Sequence, residues 1–394
     1  MRAGSAVDSR HRRHSRSRAT ATLIAAIAAL LLAACGGNTG SGSGSTPAGT
    51  PSASSAGGSQ DAGSASAPGT GSSAASGQAG SGNDDKPLVY GVFATPLEEP
   101  WDGAVHAALQ AAADAGEITY KHTDSNDSDD KMTRTLNDLV SNEKPAIIVG
   151  DAFSSEDAVR AVAKAHPDVQ FVFGSGEDPV DPNFSTFDNW LQDPAYLAGM
   201  LAGGVTKSGT IGVVAAMPIP EVNRIVNAFI QGVAETNDKA TVKVTFINSF
   251  FDPTTAKQAA LAQVAQGADV LFAERDGVIE AAKEKGLPAI GMMVDQKDQA
   301  PENVMTSLVW DMRPTIEEVI KEYRAGNLHS KNLGEFSFMR NGGSSLAPIN
   351  TDVPGGIGQD LIDKVEAKKQ AILDGSFTTP IDEKAPAGST TVGG

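Results

Sequence analysis

Short apolar runs alternate with longer amphipathic segments along residues 86–295. The apolar runs are almost continuous, which is typical of strands buried on both faces of a parallel sheet. The longer segments repeat their apolar positions at helical spacing, and several of them end at Gly. The predicted strands are residues 87–94, 118–123, 146–151, 169–176, 210–217, 241–250, 268–274 and 288–295. The predicted helices are residues 104–116, 127–142, 154–167, 195–209, 219–237, 254–267 and 277–286.

Regular strand–helix alternation predicts an α/β fold, and the alternation occurs in two series. We therefore expect two doubly wound parallel-sheet domains that are joined by a hinge, with a ligand cleft between them. In such sheets the loops at the carboxyl ends of the strands carry the functional residues. The expected division is an N-terminal lobe of residues 86–205 and 306–329, a C-terminal lobe of residues 206–305 and 330–350, and a C-terminal helix with a loose tail over residues 351–394.

The first 34 residues have the pattern of a secretory signal peptide. Five Arg between Arg10 and Arg18 precede an uncharged apolar run over residues 19–34. This run is too short to cross the ~30 Å hydrocarbon core comfortably, and a basic start before such a run is typical of a signal peptide. The run ends Leu-Ala-Ala-Cys-Gly, which resembles the bacterial lipobox, and Cys35 is the only cysteine of the chain. We expect cleavage before Cys35 and a lipid on it that anchors the protein to the extracytoplasmic face of the cell membrane.

A linker follows the predicted anchor. Residues 36–85 consist almost entirely of Ser, Gly, Ala, Thr and Pro. Because such a composition cannot build a hydrophobic core, residues 35–85 are predicted to be the lipidated Cys followed by a flexible tether.

The charge balance excludes some partners. Residues 1–34 carry six Arg and one Asp, so the rest of the chain carries 25 basic against 47 acidic residues. Binding to nucleic acid or to an anionic membrane surface needs the opposite sign of charge. We expect neither partner.

The sequence contains none of the common catalytic or metal-binding patterns that we searched for. The four His outside the signal peptide are far apart and lack metal-ligand spacing. A G-x-S-x-G elbow, a P-loop and a G-x-G-x-x-G turn after the first strand do not occur. The acidic run at residues 124–130 lacks the Gly and distal Glu of an EF-hand. We therefore predict a protein that is not an enzyme and uses no metal and no cofactor.

Two long segments, residues 196–237 and 249–311, closely resemble the basic membrane protein family of substrate-binding lipoproteins, which includes purine nucleoside receptors. The order of motifs such as YLAGMLAGG, EVNRIVNAFIQG and ADVLFAERDG carries the resemblance, which covers nearly all of residues 86–330. The resemblance implies the type I periplasmic-binding fold, a small-molecule ligand and an ABC permease as partner. We expect a monomer that captures its ligand by hinge closure.

Two departures from the family concern the ligand. Trp101 and Asp102 stand where many members carry Phe-Asn, and Trp310 stands where many carry Lys. The loss of Lys removes a donor that would meet sugar hydroxyls, and a Trp adds a flat apolar surface. These changes favour a planar heterocycle, a purine nucleobase rather than a full nucleoside.

The candidate ligand contacts combine aromatic and acidic side chains near strand ends. Aromatic rings can stack on a planar ligand, and carboxylates accept strong hydrogen bonds from ring N–H, amino or hydroxyl groups. The predicted contacts are Trp101, Asp102, Asp151, Phe153, Asp188, Asn189, Phe250, Asp276, Asp295 and Trp310. Glu98 and Glu99 are predicted to be solvated, in accordance with the usual exposure of Glu.

Three alternative functions stay open from the sequence. Aromatic side chains also stack on sugars, so a simple-sugar-binding lipoprotein of the same fold is an alternative. A surface enzyme acting on nucleosides would need an acid or base with a shifted pKa. A ligand-sensing lipoprotein would share the pocket and differ in its membrane partner.

Overall fold

The structure is a computed structural model that describes residues 86–153 and 155–393. The predicted signal peptide, the tether and Cys35 lie outside the described residues. Within the described part, strands and helices alternate as the sequence predicts, and the chain forms two α/β lobes.

The first lobe contains a five-stranded parallel sheet of strand order β2-β1-β3-β4-β5. Its strands are buried because they consist of apolar runs such as IIVGD, whose five residues are all buried. Its elements are β1 (Leu88–Val92), α1 (Pro100–Asp114), β2 (Thr119–Thr123), α2 (Asp129–Asp138), β3 (Ile147–Asp151), α3 (Glu156–Ala165), β4 (Gln170–Gly174) and β5 (Phe184–Phe187).

The second lobe contains a seven-stranded sheet of order β11-β10-β9-β8-β6-β7-β12, in which β11 pairs antiparallel and the other strands pair in parallel. Its elements up to β10 are α4 (Gln192–Val205), β6 (Thr210–Ala215), α5 (Pro220–Thr236), β7 (Thr241–Phe246), α6 (Pro253–Ala265), β8 (Val270–Ala273), α7 (Val278–Lys285), β9 (Ala289–Met293) and β10 (Val304–Trp310). The last elements in the chain are α8 (Arg313–Arg324), β11 (Ser344–Leu346), α9 (Gln359–Leu373) and β12 (Thr390–Thr391).

The chain passes between the lobes three times within the described residues. The first passage joins β5 to α4, and the second joins β10 to α8, which packs on α1 of the first lobe. Residues 331–333 then pair with β5, through Thr186 N to Lys331 O and Leu333 N to Thr186 O, before the chain returns to β11.

The structure differs from the expected division at three places. Residues 306–310 were assigned to the first lobe, but they belong to β10, which pairs with β9 and β11 in the second sheet. The expected division also places residues 195–205 in the first lobe, but α4, which contains them, packs on α5, β10 and β11. Residues 331–333, assigned to the second lobe, pair with the first sheet instead. The reason is the same each time: sheet pairing and helix burial decide the lobe, and neither is encoded in local periodicity.

The prediction of a loose tail after the last helix is wrong for the described residues. Asn227 Nδ2 donates to the carbonyl oxygens of Asp382 and Lys384, and Asn223 Nδ2 donates to that of Glu383. The tail ends as β12, which pairs with β7. Side-chain hydrogen bonds from α5 and the pairing of β12 with β7 therefore fix a segment whose composition lacks apolar periodicity.

Helix α4 is buried along nearly its whole length against α5. Two Gly allow the close approach: a Cβ at Gly232 would lie 1.9 Å from Tyr196 O, and a Cβ at Gly199 would lie 2.1 Å from Phe229 O. The helices of the described part are all too short or too polar to cross a bilayer.

Replacement of Gly232 by Ala should destabilise the second lobe by about 1–3 kcal/mol, because the new methyl group collides with backbone and the helices must separate. Urea unfolding measures this. Gly358→Ala is the control, since a Cβ there meets nothing within 4 Å, and its effect should stay below about 1 kcal/mol. Equal effects of the two substitutions would contradict the packing argument.

Candidate functional site

The loops at the carboxyl ends of strands in both lobes meet at one cavity, as expected for parallel α/β sheets. The cavity has a volume of about 20 Å³ and adjoins a larger groove of about 1020 Å³, with which it shares Phe153, Ser175 and Glu221. Its lining residues are Thr95, Glu99, Trp101, Asp151, Phe153 and Ser175 from the first lobe, with Glu221 and Phe250 from the second.

A buried ion pair joins the two lobes beside this cavity. Arg275 Nη1 lies 3.1 Å from Glu99 Oε1, and Arg275 Nη2 lies 3.0 Å from Glu274 Oε1. Arg275 also donates to Phe250 O at 3.0 Å. Glu99 and Glu274 are each 2% exposed and Arg275 is 5% exposed. The guanidinium is therefore paired with one carboxylate from each lobe, and all three groups are shielded from bulk solvent.

Glu99 is also the N-cap residue of α1. Its Oε2 accepts hydrogen bonds from Trp101 N at 2.8 Å and Asp102 N at 3.0 Å, which otherwise lack partners in the first turn. Burial raises the pKa of Glu99, and Arg275 partly offsets this rise. The side chain of Glu99 thus fixes the start of α1, which carries Trp101, and also forms the ion pair with Arg275 of the second lobe.

Carboxyl groups surround the cavity. Asp102 accepts from Thr95 N at 2.9 Å and from Thr95 Oγ1 at 2.6 Å, and burial followed by repulsion from Glu99 raises the pKa of Asp102 to about 7. Burial, then Asp102, raises the pKa of Asp151, which accepts from Phe153 N. Burial, then Asp188, raises the pKa of Glu221 to about 8. These groups hold protons at a higher pH than exposed carboxyl groups do.

Aromatic rings from both lobes form the apolar part of the walls. Phe153 and Phe250 meet edge to face with ring centroids 4.6 Å apart. Trp101 stacks on Phe187 at 5.7 Å and lies 5.0 Å from Trp310. Such contacts contribute beyond the burial of area, and they give the cavity flat surfaces suited to a planar ligand.

The structure brings four of the ten predicted residues to the cavity, namely Trp101, Asp151, Phe153 and Phe250. Asp102 lies behind the wall on Thr95. Trp310 is buried behind Trp101 and donates from Nε1 to Ser337 Oγ at 3.1 Å.

The other four predicted residues lie away from the lining. Asp188 pairs with Arg224 at 2.5 Å and borders the larger groove, and buried Asn189 contacts the same guanidinium. Asp276 accepts from Gln296. Asp295 is exposed and accepts from Lys297 N. Ligand contact by any of the ten stays a prediction.

Sequence reasoning missed several residues of the site. Glu98 is exposed as predicted, but Glu99 is buried, which contradicts the prediction of a solvated side chain. The available signal was Pro100, because Pro favours the first helical position and marks the preceding residue as the cap. Ser175 follows β4 directly and Arg275 is the second residue after β8, and site residues are expected just after strands.

Solved structures share the fold. An ABC transporter solute-binding protein from Conexibacter woesei has a TM-score of 0.62 at 20% identity and covers 75% of this chain and 99% of its own. One from Aeropyrum pernix has a TM-score of 0.64 at 20% identity, with 75% and 94% covered. The fold is thus that of the type I periplasmic-binding proteins, as predicted.

Curated relatives share more of the sequence. A Haloferax volcanii protein named as an ABC transporter glucose-binding protein is 33% identical over 58% of this chain and 57% of its own length. A purine-binding protein of Brucella abortus is 30% identical over 60% of this chain and 67% of its own. The chain therefore spans little more than half of the length of the Haloferax relative.

The family profile described as ABC transporter substrate-binding protein, PnrA-like, matches residues 94–335. This match includes the cavity, the ion pair of Glu99 with Arg275 and the first two of the three passages between the lobes. It spans more than half of the chain and agrees with the resemblance found in the sequence. The chain belongs to the Bmp family of PnrA-like ABC transporter substrate-binding proteins.

Proposed function

We propose that the protein is the extracytoplasmic, lipid-anchored substrate-binding component of an ABC importer, and that its ligand is a planar purine-type base or nucleoside. The observation that carries this proposal is the cavity between the lobes, whose walls combine aromatic rings with hydrogen-bonding groups. Such a combination binds a flat ligand and fixes its orientation.

The proposed capture step is closure of the two lobes about the three connecting segments. The ion pair of Glu99 with Arg275 forms only when the lobes are together, because one residue lies in each lobe. The contact of Phe153 with Phe250 also joins the lobes. A permease that recognises both lobes at once would therefore distinguish the closed form from the open form.

The names of two relatives support a purine-type ligand. The Brucella relative is named as purine-binding, and a Lactococcus lactis relative that is 25% identical over 59% of this chain is named as nucleoside-binding. The Haloferax relative, named as glucose-binding, favours the alternative of a simple sugar. The cavity supports the first option more strongly because its lining contains three aromatic side chains.

Thermal unfolding of the full chain with purine bases, nucleosides and simple sugars tests the ligand class. A ligand that binds the native state at ~100 times its Kd stabilises it by about 2.7 kcal/mol. We expect purine bases or nucleosides to raise Tm. A rise with sugars alone would replace the purine proposal by the sugar alternative and leave the transport role standing.

The anchor has a separate test. Substitution of Cys35 by Ala should release the protein from the membrane into the medium or periplasm, because the lipid has no attachment site. Fractionation and labelling with a radioactive fatty acid measure this. Membrane retention and labelling of Cys35→Ala would contradict the proposed anchor.

Replacement of Arg275 by Met should destabilise the closed form by about 3–5 kcal/mol, because two buried carboxylates lose their counter-charge. Small-angle scattering with and without a bound ligand should show a more open average shape and weaker binding. Arg313→Met is the control: Arg313 pairs with Asp311 and its side chain is 64% exposed, so the expected effect is below about 1 kcal/mol. Equal effects of the two substitutions on shape and binding would show that the ion pair of Arg275 with Glu99 does not hold the lobes together.

Asp102 should make stability depend on pH. Its ordinary pKa of 3.8 rises to about 7 in the folded chain, so the folded form holds a proton that the unfolded chain releases between these values. This contribution is full below about pH 4 and is lost as the pH rises through about 7. Urea unfolding across this range should show a smaller loss of stability for Asp102→Asn than for the wild type; parallel curves would contradict it.

A further inference from the structure

Two carboxyl groups from opposite lobes line the small cavity. Asp151 ends β3 of the first lobe, and Glu221 lies in the first turn of α5 in the second lobe. Each is 7% exposed. Because the cavity has a volume of only about 20 Å³, it has room for about one water molecule. One water molecule cannot replace the hydration shells that two ionised carboxylates have in an open cleft.

The charges that are buried around this cavity do not balance. Five carboxyl groups are buried there, but only two guanidinium groups are buried with them. If all of these groups were ionised, the interface between the lobes would carry an excess of negative charge out of contact with bulk water. The carboxyl groups are those of Glu99, Asp102, Asp151, Glu221 and Glu274, and the guanidinium groups are those of Arg224 and Arg275.

Both guanidinium groups are already paired with other carboxylates. Within the described residues, neither Asp151 nor Glu221 takes part in an ion pair. The hydrogen-bond neighbours of the two groups are Phe153 N, 2.8 Å from Asp151 Oδ1, and Ser175 Oγ, 3.5 Å from Glu221 Oε2. Since a buried carboxylate without a counter-charge is unfavourable, each of these groups is more stable with a proton than without one.

The other charged groups nearby do not remove this imbalance. The groups that act on Asp151 are all carboxyl groups, namely those of Asp102, Glu99 and Glu221. The groups that act on Glu221 are those of Asp188, Arg224, Glu274 and Arg275. On the side of the groove lie the ion pair of Arg160 with Glu156 and the exposed Glu383. Every cation of this set therefore has a carboxylate partner other than Asp151 and Glu221.

We propose that closure of the unliganded lobes takes up protons: Asp151 and Glu221 are protonated in the closed form and release their protons to water when the lobes separate. Separation gives water access to both groups, because one lies in each lobe and both lobes line the cavity. This inference rests on the lobe closure of the proposed function and adds its regulation by pH.

The direction of the pH dependence follows from the pKa values. The ordinary pKa values of Asp151 and Glu221 are 3.8 and 4.5, and burial in the closed form raises both, that of Glu221 to about 8. The closed form therefore holds protons that the open form releases. Closure is fully favoured below about pH 4 and is lost as the pH rises through about 8, and the ratio of open to closed molecules increases ~10-fold per pH unit for each proton released.

Acrylamide quenching of Trp fluorescence in the full chain without ligand tests this coupling. All three Trp of the chain lie where the lobes meet: Trp101 lines the cavity, Trp310 packs on Trp101, and Trp190 lines the groove. Between about pH 5 and about pH 9 we expect the quenching constant to rise about twofold or more, as Trp101 passes from 5% exposed to solvent-accessible. A constant that does not change over this range would overturn the proposal.

Opening differs from unfolding, because each lobe keeps its secondary structure when the lobes separate. Far-UV circular dichroism should therefore stay unchanged over the same pH range. Quenching that rises only together with loss of the far-UV signal would be unfolding, and it would also overturn the proposal.

A double variant assigns the protons to residues. Asp151→Asn with Glu221→Gln cannot ionise at these positions, so its quenching should stay low and independent of pH. The matched control is Asp298→Asn with Glu302→Gln, two exposed carboxyl groups, which should keep the profile of the wild type. A double variant with the wild-type profile would overturn the assignment. If it fails to fold, Glu221→Gln alone decides, since loss of one proton should reduce the dependence from ~100-fold to ~10-fold per pH unit.

Failure of the proposed function has a different signature. If the ligand is not a purine-type compound, no purine raises Tm, but the quenching of the unliganded chain still depends on pH. If the lobes do not close at all, neither a ligand nor pH changes the quenching, and both the capture step and its regulation by protons are overturned.

Discussion

The guanidinium of Arg275 is the point on which the closed arrangement depends. It lies between Glu99 of the first lobe and Glu274 of the second, and all three side chains are at most 5% exposed. A buried charge is destabilising unless it is paired and hydrogen-bonded. Burial of these groups and closure of the lobes are therefore one event. Because Glu99 also caps α1 through Trp101 N, the same event fixes the aromatic wall of the cavity.

The remaining charge around the cavity follows from this pairing. Arg275 forms ion pairs with Glu99 and Glu274, and Arg224 forms one with Asp188. The hydrogen-bond neighbours of Asp151 and Glu221 are therefore the main-chain amide of Phe153 and the hydroxyl of Ser175. In the open form water can solvate these carboxyl groups, whereas in the closed form only protons or ligand donors can compensate them. The arrangement therefore leaves two buried carboxyl groups without a cation partner among the described residues, and burial raises the pKa of both.

Much of the fold could be predicted because continuous apolar runs such as residues 146–151 specify buried parallel strands directly. The position of the site also follows, since loops after strands converge at one edge. The partners inside the site do not follow from local pattern: Glu99 and Arg275 are 176 residues apart. An isolated Glu is usually exposed, and only the distant Arg makes burial of Glu99 possible. The lobe of β10 depends likewise on its pairing with β9.

Trp310 shows how a residue can shape a ligand site without lining it. Its ring lies 5.0 Å from Trp101, and its Nε1 donates to Ser337 Oγ, which in turn donates to Asp188 O. The chain of contacts joins β10 of the second lobe to the end of β5 in the first. The rings of Trp101, Phe187 and Trp310 thus contact one another in all three pairs and form one aromatic cluster across the two lobes. Trp310 therefore supports the aromatic wall of the cavity from the second lobe, although it does not line the cavity itself.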